Sequence, residues 1–249
     1  MVHPLELSCQ GFICVSKPYK STSELQKSMK TIKLSPTSLR IFSLICLSGF
    51  FLYANFTQMM GQISISQLQQ DPLNLEVNGI QQSRGTSCGE AVIAMVYNYA
   101  YPQISISEQE VIGYSAAHGY YTEDFPPFTS PANMVKIAQY YADNVSTGHV
   151  TNSGQGLALL IRKLRNGEPV IIDVPSKLND PQSEAHFVVV TGISVDQNRG
   201  NAGVIHYNDP LTGTKESADW AGNEGVWNAW QKNRDPGGSG WWLVIAPPS

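Results

Sequence analysis

Residues 82–95 read QSRGTSCGEAVIAM, and in them one thiol, Cys88, stands where a polar run gives way to an apolar one. Val92, Ile93, Met95, Val96 and Tyr99 follow at helical spacing with no Gly or Pro among residues 90–99, so a helix is expected to begin at or just after Cys88 with a strongly apolar face turned to the core. A free cysteine is nucleophilic only as thiolate, and backbone amides at a helix start favour that anion. The polar SRGTS before Cys88 and Gly89 after it argue against an inert core cysteine, because buried structural cysteines usually sit within apolar runs.

Outward from this helix the first half of the domain reads as helical. Ser107 with Glu110 has the form of a capping box. Ser130-Pro131 is an N-cap followed by a first-turn proline, and Met134, Ile137, Ala138 and Tyr141 recur behind it on one face. Residues 155–166 (QGLALLIRKLRN) form a further helical run that stops at Gly167. Then the period changes. Residues 170–174 (VIIDV), 187–195 (FVVVTGISV), 204–207 (VIHY) and 241–246 (WWLVIA) are β-branched or aromatic runs bounded by turn residues. Helices first and strands afterwards predict an α+β fold with a mostly antiparallel sheet rather than a doubly wound one.

The preceding segment has a different character. Residues 41–53 (IFSLICLSGFFLY) are apolar for 13 residues after Lys30, Lys33 and Arg40. That order is expected of a secretory signal over residues 29–54, starting at Met29, with residues 1–28 a mis-assigned extension and 55–74 a Gln- and Ser-rich linker. The domain then covers residues 75–249, and the protein is expected to be secreted or periplasmic. The alternative is an uncleaved anchor, for which the run falls short of about 20 apolar residues. Removing residues 1–54 takes away Cys9, Cys14 and Cys46, leaving Cys88 alone and no intramolecular disulfide. It also removes six basic and two acidic residues from totals of 16 and 20, leaving 10 and 18, a net charge of −8. So acidic a chain is a poor partner for nucleic acid or an anionic membrane.

A thiol nucleophile needs a base, an orienting group and oxyanion donors. His186 heads the most apolar strand, in EAHFVVVTGI, where its ring can leave the sheet end toward a cleft. His206 lies inside a strand, and His118 and His149 lie in loops, where structural or solvated roles are expected. Asp209, closing the strand VIHYND before Pro210, is placed to orient an imidazole. Asn208 is its rival, and because neighbours on a strand face opposite sides only one can serve. Gln82, six residues before Cys88, is a candidate oxyanion donor together with the Cys88 amide, and spacing leaves Gln81 open. No HExxH or CxxC string occurs and the histidines have no ligand spacing, so neither metal nor organic cofactor is expected. Residues 118–128 (HGYYTEDFPPF) read as a packed surface loop, with a cleft border as the functional alternative.

Taken together, QSRGTSCGEAVIAM, AHFVVVTG from Ala185 and NDPLTG from Asn208 resemble the papain-like cysteine peptidases related to the bacteriocin-processing, double-glycine leader peptidases, above all their stand-alone relatives. The resemblance covers residues 75–247. It implies a papain-like fold, with N-terminal helices whose central, cysteine-bearing member packs on a C-terminal antiparallel sheet that carries the histidine. It implies Gln82 as oxyanion donor, Cys88 as nucleophile, His186 as base and acid, and Asp209 as orienting carboxylate. The transporter-linked members carry membrane and ATPase domains not found in this sequence, so cleavage after double glycine does not carry over. The expected activity is hydrolysis of a peptide or isopeptide bond in a peptide or protein substrate. An acyl transferase or amidase, or a non-catalytic binding module, are the alternatives, and reactivity of Cys88 separates the last from the others.

Overall fold

The computed structural model describes residues 7–9, 14–16, 73–124, 129–196 and 202–248, and the chain divides into two compact units, Met1–Met60 and Gly61–Ser249. In the first, β1 (Leu7–Cys9) pairs antiparallel with β2 (Cys14–Ser16), with Cys9 opposite Cys14. This ladder lies where the sequence has no periodic pattern. The expected signal at residues 29–54 lies outside the described residues. Among the described residues no helix is long and apolar enough to cross a membrane.

The second unit opens with β3 (Leu73–Asn74), so the end of the expected linker already belongs to a sheet. Helix α1 (Cys88–Ala100) begins at the thiol, and every residue from Cys88 to Tyr97 is buried. It is thus a central helix covered on all sides rather than on one face. Helix α2 (Glu108–Ala117) has the expected capping box: the Glu110 amide donates to the Ser107 hydroxyl, and the Ser107 amide donates to the Glu110 carboxylate at 2.6 Å. Helix α3 (Pro131–Tyr141) starts on the Ser130 cap, whose hydroxyl accepts from the Asn133 amide. Strand β4 (Val145–His149) then interrupts the helical half. Helix α4 (Ser153–Arg165) begins two residues earlier than its apolar pattern suggests, because Asn152 caps it. It ends before Gly167, whose φ of +73° only glycine adopts without strain.

Strands β5 (Val170–Pro175), β6 (Ala185–Asp196), β7 (Ala202–Asp209) and β8 (Thr214–Asp219) follow, then a short helix α5 (Val226–Lys232) and β9 (Trp241–Ile245). They join β3 and β4 in one seven-stranded sheet of order β4-β9-β5-β6-β7-β8, with β3 on β6 beyond the end of β5. All its pairs are antiparallel. Consecutive residues of the central strands enter different cores. Ile171, Phe187, Val189 and Leu243 pack with α1 and α3, whereas Val170, Ile172, Val188 and Val190 pack with α4 and α5. This double coverage is why VIIDV is apolar at successive positions instead of alternating. It also extends the expected layout: the sheet carries helices on both faces, with α1 on one and α4 and α5 on the other.

Candidate active site

Cys88 is the first residue of α1 and is 9% exposed. The polar loop before it is held from below by one carboxylate. Glu108, buried at the start of α2, accepts the Ser83 amide at 2.9 and 3.0 Å and the Ser87 hydroxyl at 2.6 Å. The Ser87 hydroxyl in turn accepts the Arg84 amide at 3.2 Å. Two donors, making three contacts on one buried carboxylate, offset much of its desolvation and fix the path of residues 83–87 into the helix.

His186 is the second residue of β6 and Asp209 the last of β7, neighbouring antiparallel strands. His186 Nε2 lies 2.7 Å from Asp209 Oδ1, with side chains 4% and 13% exposed. A carboxylate accepts, so Nε2 carries the hydrogen and Nδ1 is the nitrogen left for Cys88. Burial by itself pulls the His186 pKa down. Hydrogen bonds to Asp209 and Cys88, with the charge on each, overcome it and push the value up to about 9. Asp209 moves the other way: burial alone raises it, while the bond to His186 and the Leu211 amide at 2.8 Å bring it below its ordinary value. Asn208 faces away, its Nδ2 donating to the Val77 carbonyl at 2.8 Å. Of the two candidate orienters, Asp209 is the one that meets the ring.

The glutamines both tie the approach loop to the turn after Asp209. The Gln82 amide donates to the Pro210 carbonyl at 2.8 Å, and Gln81 Nε2 to the Leu211 carbonyl at 3.2 Å. Gln82 Nε2 also donates to the Arg84 carbonyl at 2.8 Å, which uses one of its two hydrogens and leaves one. The other described histidines are engaged elsewhere. His118 contacts the Tyr114 carbonyl, His149 the Gly237 carbonyl, and His206 the Ser194 hydroxyl. In the loop of residues 118–128, of which 125–128 lie outside the described residues, Tyr121 contacts the Thr86 hydroxyl and Glu123 pairs with Arg84. Arg84, Gly85, Thr86 and Glu123 line an open cleft of about 490 Å³ on the loop that leads into Cys88. Among the described residues no group of three or more His, Cys, Asp and Glu side chains could hold a metal ion.

Sequence reasoning missed the buried acids around this site. Glu90, in the first turn of α1, is fully buried and accepts the Thr129 hydroxyl at 2.7 Å. Burial outweighs that bond and raises its pKa from 4.5 to about 7. Because the folded value lies above the unfolded one, Glu90 supports folding fully below about pH 4.5, and this contribution is lost as pH rises through 7. Glu90→Gln is expected to be more stable than the parent above pH 7 by roughly 1–3 kcal/mol and to gain nothing at pH 4. Thermal unfolding of both proteins across that range checks it, and parallel pH profiles would contradict it.

A family model described as the Peptidase_C39 like family matches residues 74–235, from β3 to the loop after α5, and takes in Gln82, Cys88, His186 and Asp209. No curated protein matches the chain.

Proposed function

This chain belongs to the Peptidase_C39 like family, and from that premise we propose that it is an exported thiol hydrolase that cuts a peptide or isopeptide bond through an acyl-enzyme on Cys88. The observation that carries this reading is the shared imidazole: His186 is bonded to Asp209 through Nε2, and its titration responds to Cys88 as well as to Asp209.

The steps follow from that arrangement. His186 Nδ1 takes the thiol proton, and the sulfur attacks the carbonyl carbon of the scissile bond. Charge builds on the carbonyl oxygen, where the Cys88 amide and the unused Gln82 Nε2 hydrogen are the proposed donors. His186, now an imidazolium held by Asp209, gives its proton to the departing amine as the C–N bond breaks, leaving a thioester. Water then gives a proton to His186 and attacks the thioester, which releases the carboxylic acid and restores the thiol. Asp209 keeps the ring in one tautomer throughout. Export rests on the basic-then-apolar segment before the domain, and the substrate class on the family.

The test is an unbiased peptide-library digest by the parent protein and Cys88→Ser side by side. Cleavage at a recurrent motif, lost in the variant, is the expected result. Cleavage unchanged in Cys88→Ser would sink the assignment.

A further inference from the structure

Strand β5 carries a second acid that takes no part in the mechanism above. Asp173 has no solvent exposure, and among the described residues neither of its carboxylate oxygens has a hydrogen-bond partner. Asp235, in the loop after α5, is also buried and has Oδ2 unpartnered. The loop is pressed onto Asp173. Asn233 Nδ2 donates to the Asp173 carbonyl at 2.8 Å, the Asp235 amide donates to Asn233 Oδ1 at 3.2 Å, and the Gly238 amide donates to the Asp235 carbonyl at 2.8 Å. A Cβ on Gly238 would collide with Asp173 Oδ2 and Asn233 Oδ1, so only glycine lets the loop sit this close.

The Asn233 side-chain amide and the Asp235 and Gly238 backbone amides are thus committed to other acceptors, and the cation nearest in sequence, Arg234, is exposed. Two carboxylates packed together without donor or counter-ion cannot both stay ionised, and the ordinary solution is a proton held between them. The location gives that proton a consequence. Asp173 pairs across the ladder with Phe187, the residue after His186, and the Phe187 ring lies 3.5 Å from where a Cβ on Gly89 would stand. Asp173 therefore faces the start of α1, and its titration responds to Cys88. Burial, then Asp235, then Cys88 hold the Asp173 carboxyl well above the usual carboxylate range. Cys88 from α1 and Asp235 from the loop are the titratable groups acting on it, and Phe187 on β6 is apolar.

We propose that Asp173 is a positioning residue: it stands as a carboxylic acid donating its proton to the Asp235 carboxylate, and this bond clamps the loop of residues 233–240 onto β5 beside Cys88. Resting on the peptidase reading, it keeps one negative charge rather than two next to a sulfur that must itself become anionic. Losing the proton adds a buried anion there, opposes thiolate formation and pushes the loop away from the strand.

The decisive measurement is infrared spectroscopy of the full chain near neutral pH, with Glu90→Gln as the parent because Glu90, at a pKa of about 7, is itself partly protonated there. This parent is expected to show the carbonyl stretch of a protonated carboxylic acid, absent when Asp173→Asn is added and displaced when Asp235→Asn is added. A parent spectrum without that band overturns the proposal, even if the variants fail to fold. The second measurement is the rate of Cys88 alkylation. An asparagine amide can still donate to Asp235, so Asp173→Asn is expected to keep the rate within about threefold while Asp173→Ala loses about tenfold or more. Equal losses in the two overturn the clamp. The raised folded pKa means that the pair favours folding most below about pH 4 and loses this contribution as pH rises, a slope that Asp173→Asn should flatten. An unchanged slope also counts against it. The band and the slope require no turnover, so they fail or stand independently of the peptidase assignment.

Discussion

Cys88→Ala is expected to fold like the parent and to lose turnover by about four to six orders of magnitude, the scale seen when a covalent nucleophile is removed. The fold should tolerate the change because alanine favours helix at the first position of α1 and only a sulfur is lost from a site that is already 9% exposed. The neighbouring hydroxyls are engaged. The Ser87 hydroxyl is committed to Glu108, and the Thr86 hydroxyl contacts Tyr121. The check is kcat/KM on the best library peptide, alongside a thermal unfolding curve. In parallel, a small alkylating agent at mildly acid pH should label Cys88 in the parent stoichiometrically, and much more slowly in His186→Ala. Cys9, Cys14 and Cys46 make peptide mapping of the label necessary. Full turnover in a folded Cys88→Ala would remove the acyl-enzyme from the account. Slow labelling that does not depend on His186 would favour a binding module on the same fold.

What could be read from the sequence followed from how many sides of an element are covered. Strands β5, β6, β7 and β9 lie inside the sheet and announced themselves as β-branched and aromatic runs. The strands at its two ends did not. β4 (VSTGH) and β8 (TKESAD) have one neighbour each and mostly half-buried or exposed residues, so their sequences carry too little apolar signal to separate strand from loop. Helix α5, seven residues long, is too short for a periodic pattern. The start of α4 was hidden by Ser153 and Gly154, which lie before the first apolar residue of the helical run. Gly156, inside that run, is a close approach, since a Cβ there would meet the rings of Trp220 and Trp227.

The site divides along a similar line. Cysteine at a helix start, histidine at a strand start and aspartate at a strand end are positions that chain order and period fix, and the two-residue alternation of β7 frames the choice between Asn208 and Asp209. The surroundings are another matter. Glu90, Glu108 and Asp173 are charged letters that sequence assigns to the surface, and the structure buries all three near the start of α1. Their partners are distant in sequence or local to loops: Thr129 for Glu90, Ser83 and Ser87 for Glu108. Such contacts follow from tertiary packing and leave no periodic trace. Gln82 stands between the two cases. Its spacing from Cys88 is legible, whereas its backbone tie to Pro210, which joins the loop before Cys88 to the Asp209 turn, is not.

That tie places the second large effect at Asp209. Asp209→Ala is expected to lower kcat/KM by about two to four orders of magnitude, whereas Asp209→Asn should cost about tenfold, because an amide oxygen still accepts from Nε2 and holds the tautomer. The pH profile carries the sharper claim. Imidazolium is needed to protonate the leaving amine, so the alkaline limb of the parent should follow the loss of the His186 proton at about 9. With the carboxylate gone, burial remains as the downward pull and the strongest upward one has been removed. In both variants the limb should therefore move to lower pH, and further in alanine. The stability sign is fixed by the same shift. The folded pKa of His186 exceeds its unfolded 6.5, so the pair's contribution is fully present below 6.5 and is lost as pH rises through 9. The difference corresponds to roughly 3 kcal/mol for all of the ring's charged contacts, Cys88 supplying part of it alongside Asp209. Asp209→Ala should accordingly unfold more easily than the parent at pH 6 and about equally at pH 10. An alkaline limb that stays in place in Asp209→Ala would mean that Asp209 does not govern the imidazole, and the hydrogen bond at 2.7 Å would then be structural only.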